Sequence, residues 1–289
     1  MRRLKEDSLN VLNVREGNLR AKDSFSVYWK AWIPEVKPKA VIHLIHGYGE
    51  HASRYGTLVN ELVPAGYAIF GTDHRGHGKS DGTRGYVENF QDFIDDEKQF
   101  SDEVIKQAFP GIPHVLVGHS MGSLIAINFA EQFPDEIKAV VLFGTGSLPG
   151  KGVPKILVPL TRILATLLPK IRMKFPLPPE FISRDPEVVK AYVNDPLVYN
   201  VITPRLANEM NKLLAIGAKN AGRITKPVLI LHGSADTAFS GQKELLDALG
   251  SQDKTLKIYD GLRHEAFNEL PADRAKVLAD LHTWLDAHV

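Results

Sequence analysis

The chain contains no cysteine. This excludes a disulfide framework and any thiolate-bound metal, and it suits a reducing compartment. Charge of a dominant sign is also missing: 35 Lys and Arg stand against 34 Asp and Glu, a net +1. The total charge therefore offers no reason to expect a nucleic-acid partner, and no stretch interleaves basic and aromatic residues as single-strand binders do. No apolar run reaches the roughly 18–20 residues that a membrane-spanning helix needs. The opening "MRRLKEDSLN" is basic but has none of the apolar core of a signal peptide. These gaps together predict a soluble, cytoplasmic protein.

What is present is ordinary in bulk and informative in pattern. The 289 residues are 44% apolar, enough for one large domain or one domain with a sizeable insertion. "SFSVYWKAWI" (24–33) alternates as a half-exposed antiparallel strand does. "AVIHLI" (40–45), "YAIFGT" (67–72), "HVLVG" (114–118), "AVVLFG" (139–144) and "PVLILHG" (227–233) are near-continuous apolar runs. Such runs read as strands of a parallel sheet covered on both faces. "TLKIYDG" (255–261) reads as the last strand, and helical patterns lie near 54–64, 92–108, 121–133, 241–249 and 272–288. The alternation predicts an α/β fold: a doubly wound, mostly parallel sheet flanked by helices, with antiparallel strands at its N-terminal edge.

Residues 147–225 break this rhythm. They hold ten of the 18 prolines, no clear strand, and an apolar helix-like run, "ILVPLTRILATLL", interrupted by Pro159. Twelve Lys and Arg stand against five acids in this stretch, and six of the basic residues, Lys155 among them, lie between 151 and 174, where there is no acid. The expected organisation is a core of 1–146 and 226–289 with a helical cap inserted at 147–225.

"VLVGHSMGSLIA" sets Ser120 between Gly118 and Gly122, after a predicted strand and before a predicted helix. This is the context of a nucleophile elbow, a turn too tight for side chains at its flanking positions, which lifts the serine oxygen above the sheet edge. A serine hydroxyl needs a base. Asp236 lies just beyond the strand ending in "ILHGSAD", and His264 lies in the loop after the last strand, in "YDGLRHEAFNE". The chain order Ser120, Asp236, His264 is that of the hydrolase triad, and strand carboxyl ends share one crevice. Asp260 is a rival acid, but it sits only four residues before His264. The expected oxyanion donors are the amide of Met121, next to the nucleophile, and the amide of Tyr48 in "IHGYGEH". Histidines 46, 51, 74 and 77 include an H-x-x-H spacing, but it falls in a Gly-rich loop rather than on one helix face, so neither a metal nor a cofactor is expected. "GHGKS" lacks the spacer of a phosphate loop.

The stretches "HGYGEHASRY", "DHRGHGKSDG", "GHSMGS", "ISRDPEVVKAYVNDPLVY", "HGSAD", "SQDKTLKIYDG" and "HEAFNE", spread over about 46–269, resemble the monoacylglycerol lipase family of α/β-hydrolases. The resemblance implies an α/β-hydrolase fold, a mostly parallel eight-stranded sheet with an inserted helical cap, and Ser120, Asp236 and His264 as the triad, with the Tyr48 and Met121 amides as the oxyanion hole. It further implies that Glu50, Arg54, His119 and Tyr192 hold the glycerol headgroup. A plainer reading makes Glu50 and Arg54 an ion pair that steadies their loop, and Tyr192 a cap aromatic. The expected reaction is cleavage of a monoacylglycerol to glycerol and a fatty acid through an acyl-enzyme. A lysophospholipase or broad carboxylesterase is the alternative enzyme, and a ligand receptor on a hydrolase fold the non-enzymatic one. The basic, apolar cap suggests peripheral membrane contact. The same face could instead line the acyl channel or join a homodimer, so monomer and homodimer both stay open.

Overall fold

The computed structural model describes residues 13–152 and 157–289. Its centre is a sheet of eight strands: β1 (Asn13–Arg20), β2 (Ser26–Ile33), β3 (Ala40–Ile45), β4 (Tyr67–Thr72), β5 (His114–His119), β6 (Ala139–Phe143), β7 (Val228–Gly233) and β8 (Lys254–Tyr259). Their spatial order is β1-β2-β4-β3-β5-β6-β7-β8. β2 pairs antiparallel with both β1 and β4, and every other pairing is parallel. One strand, rather than several, therefore runs against the rest. Every residue of β3 through β7 is buried, as expected of strands covered on both faces. Alternate residues serve opposite faces. Val115 and Val117 join the cluster under helices Gly56–Leu62 (α1) and Pro271–His288, while Leu116 joins the cluster under Gln91–Phe100 (α2) and Met121–Gln132 (α3).

Sequence and structure differ in three places. β1 carries no apolar alternation because it is an edge strand, exposed along most of its length, and its charged residues guard the open edge. The predicted helix 92–108 is helical but contains a π turn at Ser101–Ile105. Residues between β6 and β7 include two-residue strands that leave no periodic trace. Leu148–Pro149 pairs with Phe239–Ser240, and Met173–Lys174 pairs with Val201–Ile202.

The same stretch holds helices α4 (Leu157–Leu167), α5 (Pro186–Asn194) and α6 (Pro204–Asn220). Pro159 lies in the first turn of α4, where proline is tolerated, and so does not interrupt the helix. α5 and α6 start by one device. Asp185 accepts from the Glu187 amide and Thr203 from the Leu206 amide, and in each case proline takes the first helical position. α6 lays Leu206, Leu213 and Leu214 into the same apolar cluster as Leu124 and Ile127 of α3. This packs the segment against the helix that follows β5. Lys155 of the basic run lies outside the described residues.

Candidate active site

Ser120 stands at the carboxyl end of β5 with φ 56° and ψ −121°, a conformation costing roughly 1–3 kcal/mol for a non-glycine residue. The surroundings leave it no alternative. Its amide donates to Phe143 O on β6 (3.0 Å), and its carbonyl accepts from the Ser123 amide (2.9 Å). A Cβ on Gly118 would lie 2.6 Å from Gly122 O, and one on Gly122 would lie 2.5 Å from His46 O and closer still to Ile45 O. The two glycines let α3 start directly against the end of β3, which drives the serine to the apex. Met121 is the first residue of that helix, so its amide has no intrahelical acceptor.

His264 lies beyond β8, its Nδ1–H donating to Asp236 Oδ2 at 2.8 Å. Asp236 lies beyond β7, and its Oδ1 accepts from the Ala238 amide at 2.6 Å. The other candidate acid, Asp260, accepts instead from the hydroxyl of Ser234 (3.1 Å). Burial works to lower the pKa of His264, but the charge and hydrogen bond of Asp236 outweigh it and hold the imidazole above its ordinary value. Burial would raise Asp236, yet the facing imidazole keeps it below the usual carboxylate range. His232 lies 3.6 Å from the same carboxylate, and burial brings its own pKa down to about 4. The rings of Phe181 and Phe239 flank the His264 imidazole at centroid distances of 5.1 and 6.1 Å.

Ser120 and His264 line one cavity of about 340 Å³ with Gly47, Tyr48, Glu50 and His119. Away from them the wall is apolar, with Leu124, Met173, Leu177, Ile202, Met210 and Leu214. At the polar end, Glu50 Oε1 accepts from the Gly47 amide (2.8 Å) and the Tyr55 hydroxyl (2.7 Å) and lies 3.2 Å from His119 Nδ1. His119 Nδ1 is therefore engaged on the Glu50 and Tyr55 side, whereas its Nε2 is buried with no partner. In the neutral ring that nitrogen is an acceptor.

Of the four residues expected at the headgroup, Glu50, His119 and Tyr192 line the cavity and Arg54 does not. The Arg54 guanidinium is bonded to Glu50 Oε2 and grips Glu265 with two contacts (2.8 and 3.1 Å), and it sits 4.6 Å from the Tyr192 ring centroid. Burial would raise the Glu50 pKa, but Arg54 and His119 hold it well below the ordinary range, so the carboxylate is ionised. Tyr55, Glu265 and Asn268, whose Nδ2 donates to Glu265 Oε2 (2.8 Å), are members of this network that the sequence does not single out. Tyr55 closes the "HGYGEHASRY" stretch and Glu265 adjoins His264, but only burial shows that both face inward. Histidines 46, 74 and 77 are taken up by the loops. His46 Nδ1 contacts Gly47 O (2.7 Å), His74 Nδ1 lies 3.1 Å from Glu97, and His77 meets the Tyr199 hydroxyl (2.7 Å). His51 contacts Asp195 of the inter-strand segment at 2.9 Å.

A sheet of this order, with a strained serine after its fifth strand and a His–Asp pair on later loops, is that of an α/β-hydrolase. Residues 36–271 match the family described as serine aminopeptidase, S33. The monoacylglycerol lipase of Mycolicibacterium smegmatis is 34% identical over 91% of this chain and 94% of its own. Human monoglyceride lipase is 34% identical over 90% of this chain and 86% of its own. The crystal structure of Paleococcus ferrophilus monoacylglycerol lipase superposes with a TM-score of 0.81, at 32% identity, over 91% of this chain and 99% of that one. The chain belongs to the monoacylglycerol lipase family of α/β-hydrolases.

Proposed function

We propose that the chain hydrolyses monoacylglycerols to glycerol and a free fatty acid, with Ser120 as nucleophile, His264 as general base and Asp236 as its orienting acid. The observation that carries this reading is a serine on a strained elbow sharing one cavity with an imidazole whose Nδ1 is committed to a buried carboxylate 2.8 Å away. That bond leaves Nε2 to take the serine proton, and Asp236 stabilises the imidazolium so formed. The oxyanion of each tetrahedral intermediate is met by the amides of Met121 and Tyr48. His264 then protonates the departing glycerol oxygen, and water releases the acid by the same steps in reverse.

Headgroup selectivity follows from the polar end. Glycerol brings two free hydroxyls, one of which can donate to His119 Nε2 and the other to Glu50, with Tyr192 closing the end. Arg54 acts through Glu50 and Glu265 rather than on the substrate. Both carboxylates line the cavity, so a lysophospholipid would bring its phosphate against negative charge. This favours the neutral headgroup over the phospholipase alternative.

We read 147–225 as a cap that roofs this cavity and as the face that meets lipid. Leu160, Ile163, Leu167, Leu168 and Ile171 are all more than two-fifths exposed, and Arg162, Lys170, Arg172 and Lys174 are exposed around them. No helix among the described residues is long and apolar enough to cross a membrane, so contact would be shallow.

The purified chain assayed on monoacylglycerol, lysophosphatidylcholine, triacylglycerol and short nitrophenyl esters tests the reading. Monoacylglycerol should be preferred, and Ser120→Ala should lose several orders of magnitude in kcat. Preference for the lysophospholipid would overturn the headgroup assignment, and no labelling of the wild type by a fluorophosphonate would overturn the nucleophile.

A further inference from the structure

The loop that carries His264 is gripped from two sides. From the core, Arg54 holds Glu265 as described. From the cap, the short stretch 180–184 takes up the loop's backbone. Three consecutive amides are involved: Arg263 N donates to Glu269 Oε1 (2.7 Å), His264 N to Phe181 O (3.3 Å) and Glu265 N to Ile182 O (2.7 Å). The Arg263 guanidinium returns the contact, donating to Glu180 O (2.6 Å) and Ser183 O (3.0 Å), while Ser183 Oγ donates to Asn268 O (2.9 Å). Glu269 is fully buried and joins the two strands of this clamp. Besides the Arg263 amide it accepts from Arg184 Nε (3.0 Å) and from the amides of Arg184 and Leu270 (3.3 Å each). Arg184 is fixed at its outer end by Asp273 (2.5 Å).

We infer that Arg184 and Glu269 are positioning residues for His264, and that the cap stretch 180–184 sets the place of the catalytic imidazole. The inference rests on His264 being the general base. Its physical ground is where the bonds fall. A carboxylate in a dry site is tolerated only when its oxygens are saturated, so the Glu269 contacts act as one unit. Glu269 takes the Arg263 amide, and the carbonyls of Phe181 and Ile182 take the next two, so the clamp as a whole meets the three peptide groups centred on His264. The imidazole has one strong side-chain partner, Asp236, which fixes its tilt. Its distance from Ser120 is left to the backbone, and the backbone is held by the cap. A swing of 180–184 away from the core would therefore carry the base with it.

The test uses Arg184→Met, Arg184→Lys and Glu269→Gln, a short soluble nitrophenyl ester, and His264→Ala in parallel. Arg184→Met and Glu269→Gln should lower kcat by roughly ten- to a hundredfold with KM nearly unchanged, the scale of a small misplacement of a catalytic group. The acid limb of the pH profile should move down as the imidazole loosens from Asp236, and Arg184→Lys should recover most of the rate. Unchanged kcat and pH profile in folded Arg184→Met, with only the melting temperature lowered, would reduce the clamp to structural glue and overturn the inference. Arg184 is partly exposed and half of its grip is replaceable by lysine, so this pair decides the matter even where Glu269→Gln does not fold. Activity retained by His264→Ala would instead overturn the base assignment itself. An inactive His264→Ala beside normal Arg184 and Glu269 variants would sink the positioning role alone.

Discussion

The floor and the roof of the cavity are built by opposite rules. The floor consists of loops leaving the carboxyl ends of β3, β5, β7 and β8, and its polar atoms are nearly all spoken for: Glu50 accepts from three groups, and Asp236 meets a ring nitrogen and an amide. The wall from α4 to Lys174 turns Ile163, Leu167 and Leu168 outward. A saturated floor has one arrangement, which chemistry requires. An outward-turned apolar ridge suits the contact with a lipid surface that we propose for it. Substitutions in the floor should therefore alter the chemical step, and substitutions in the roof should alter access.

The largest effect is expected where the floor is most constrained. Asp236→Asn keeps the shape but can no longer hold the imidazole in the required tautomer or stabilise its charge, and kcat should fall by about 10⁴. The residual activity carries a second signature. As the proposed base, His264 must be neutral to act, and Asp236 keeps its pKa above the ordinary value against the pull of burial. In the wild type, activity should thus be lost on acidification through a pH above that of a free imidazole. In the Asn variant burial acts unopposed by that charge, so the limb should shift to lower pH. A pH–rate profile for both proteins checks the sign, and a limb that stays in place would show that another group controls it.

Gly122→Ala probes the same floor through the backbone. Its methyl would enter the carbonyls of Ile45 and His46, and both are fixed, one at the end of β3 and the other in the loop that follows it. Roughly 3 kcal/mol of stability should be lost, measured by denaturant unfolding, since the strain cannot relax into a flexible side chain. The same change should reduce activity in whatever protein remains folded, because it displaces Ser120.

This contrast also explains what could be read in the sequence. β3 to β7 were legible because burial on both faces leaves unbroken apolar runs, and the elbow because its glycines have a steric cause. β1 was not, since a polar edge strand has no signature distinguishing it from a loop. Glu265, Glu269 and Arg54 show the deeper limit. A carboxylate or a guanidinium reads the same in a sequence whether it faces water, a substrate or another charge. Arg54 reads in the sequence either as a headgroup ligand or as the ion-pair partner of Glu50, and its contacts run to Glu50 and Glu265. Its aromatic neighbour Tyr192 lines the cavity, and its stacking contact with Arg54 is one that no spacing could announce.

The smallest effect on chemistry, and the sharpest test of the contrast, belongs to the roof. Ile163 and Leu167 are 59% and 70% exposed and belong to no part of the cavity wall. If the ridge meets lipid, each side chain withdraws apolar area from water on docking, worth roughly 1–2 kcal/mol, and the surrounding Lys and Arg add about 1 kcal/mol each on an anionic surface. Replacing both by Glu should lower sedimentation with phosphatidylserine-containing vesicles by at least about tenfold. Turnover of monoacylglycerol in those vesicles should fall with it. The rate on a short soluble ester should not change, because no residue of the floor is touched. Raised salt should weaken wild-type binding, as screening removes the basic contribution and leaves the apolar one. A variant that binds vesicles normally but loses self-association in solution would assign the ridge to a second copy of the chain. Loss of soluble-ester activity would mean that roof and floor are not separable, and that the cap shapes the catalytic step along its whole length rather than at 180–184.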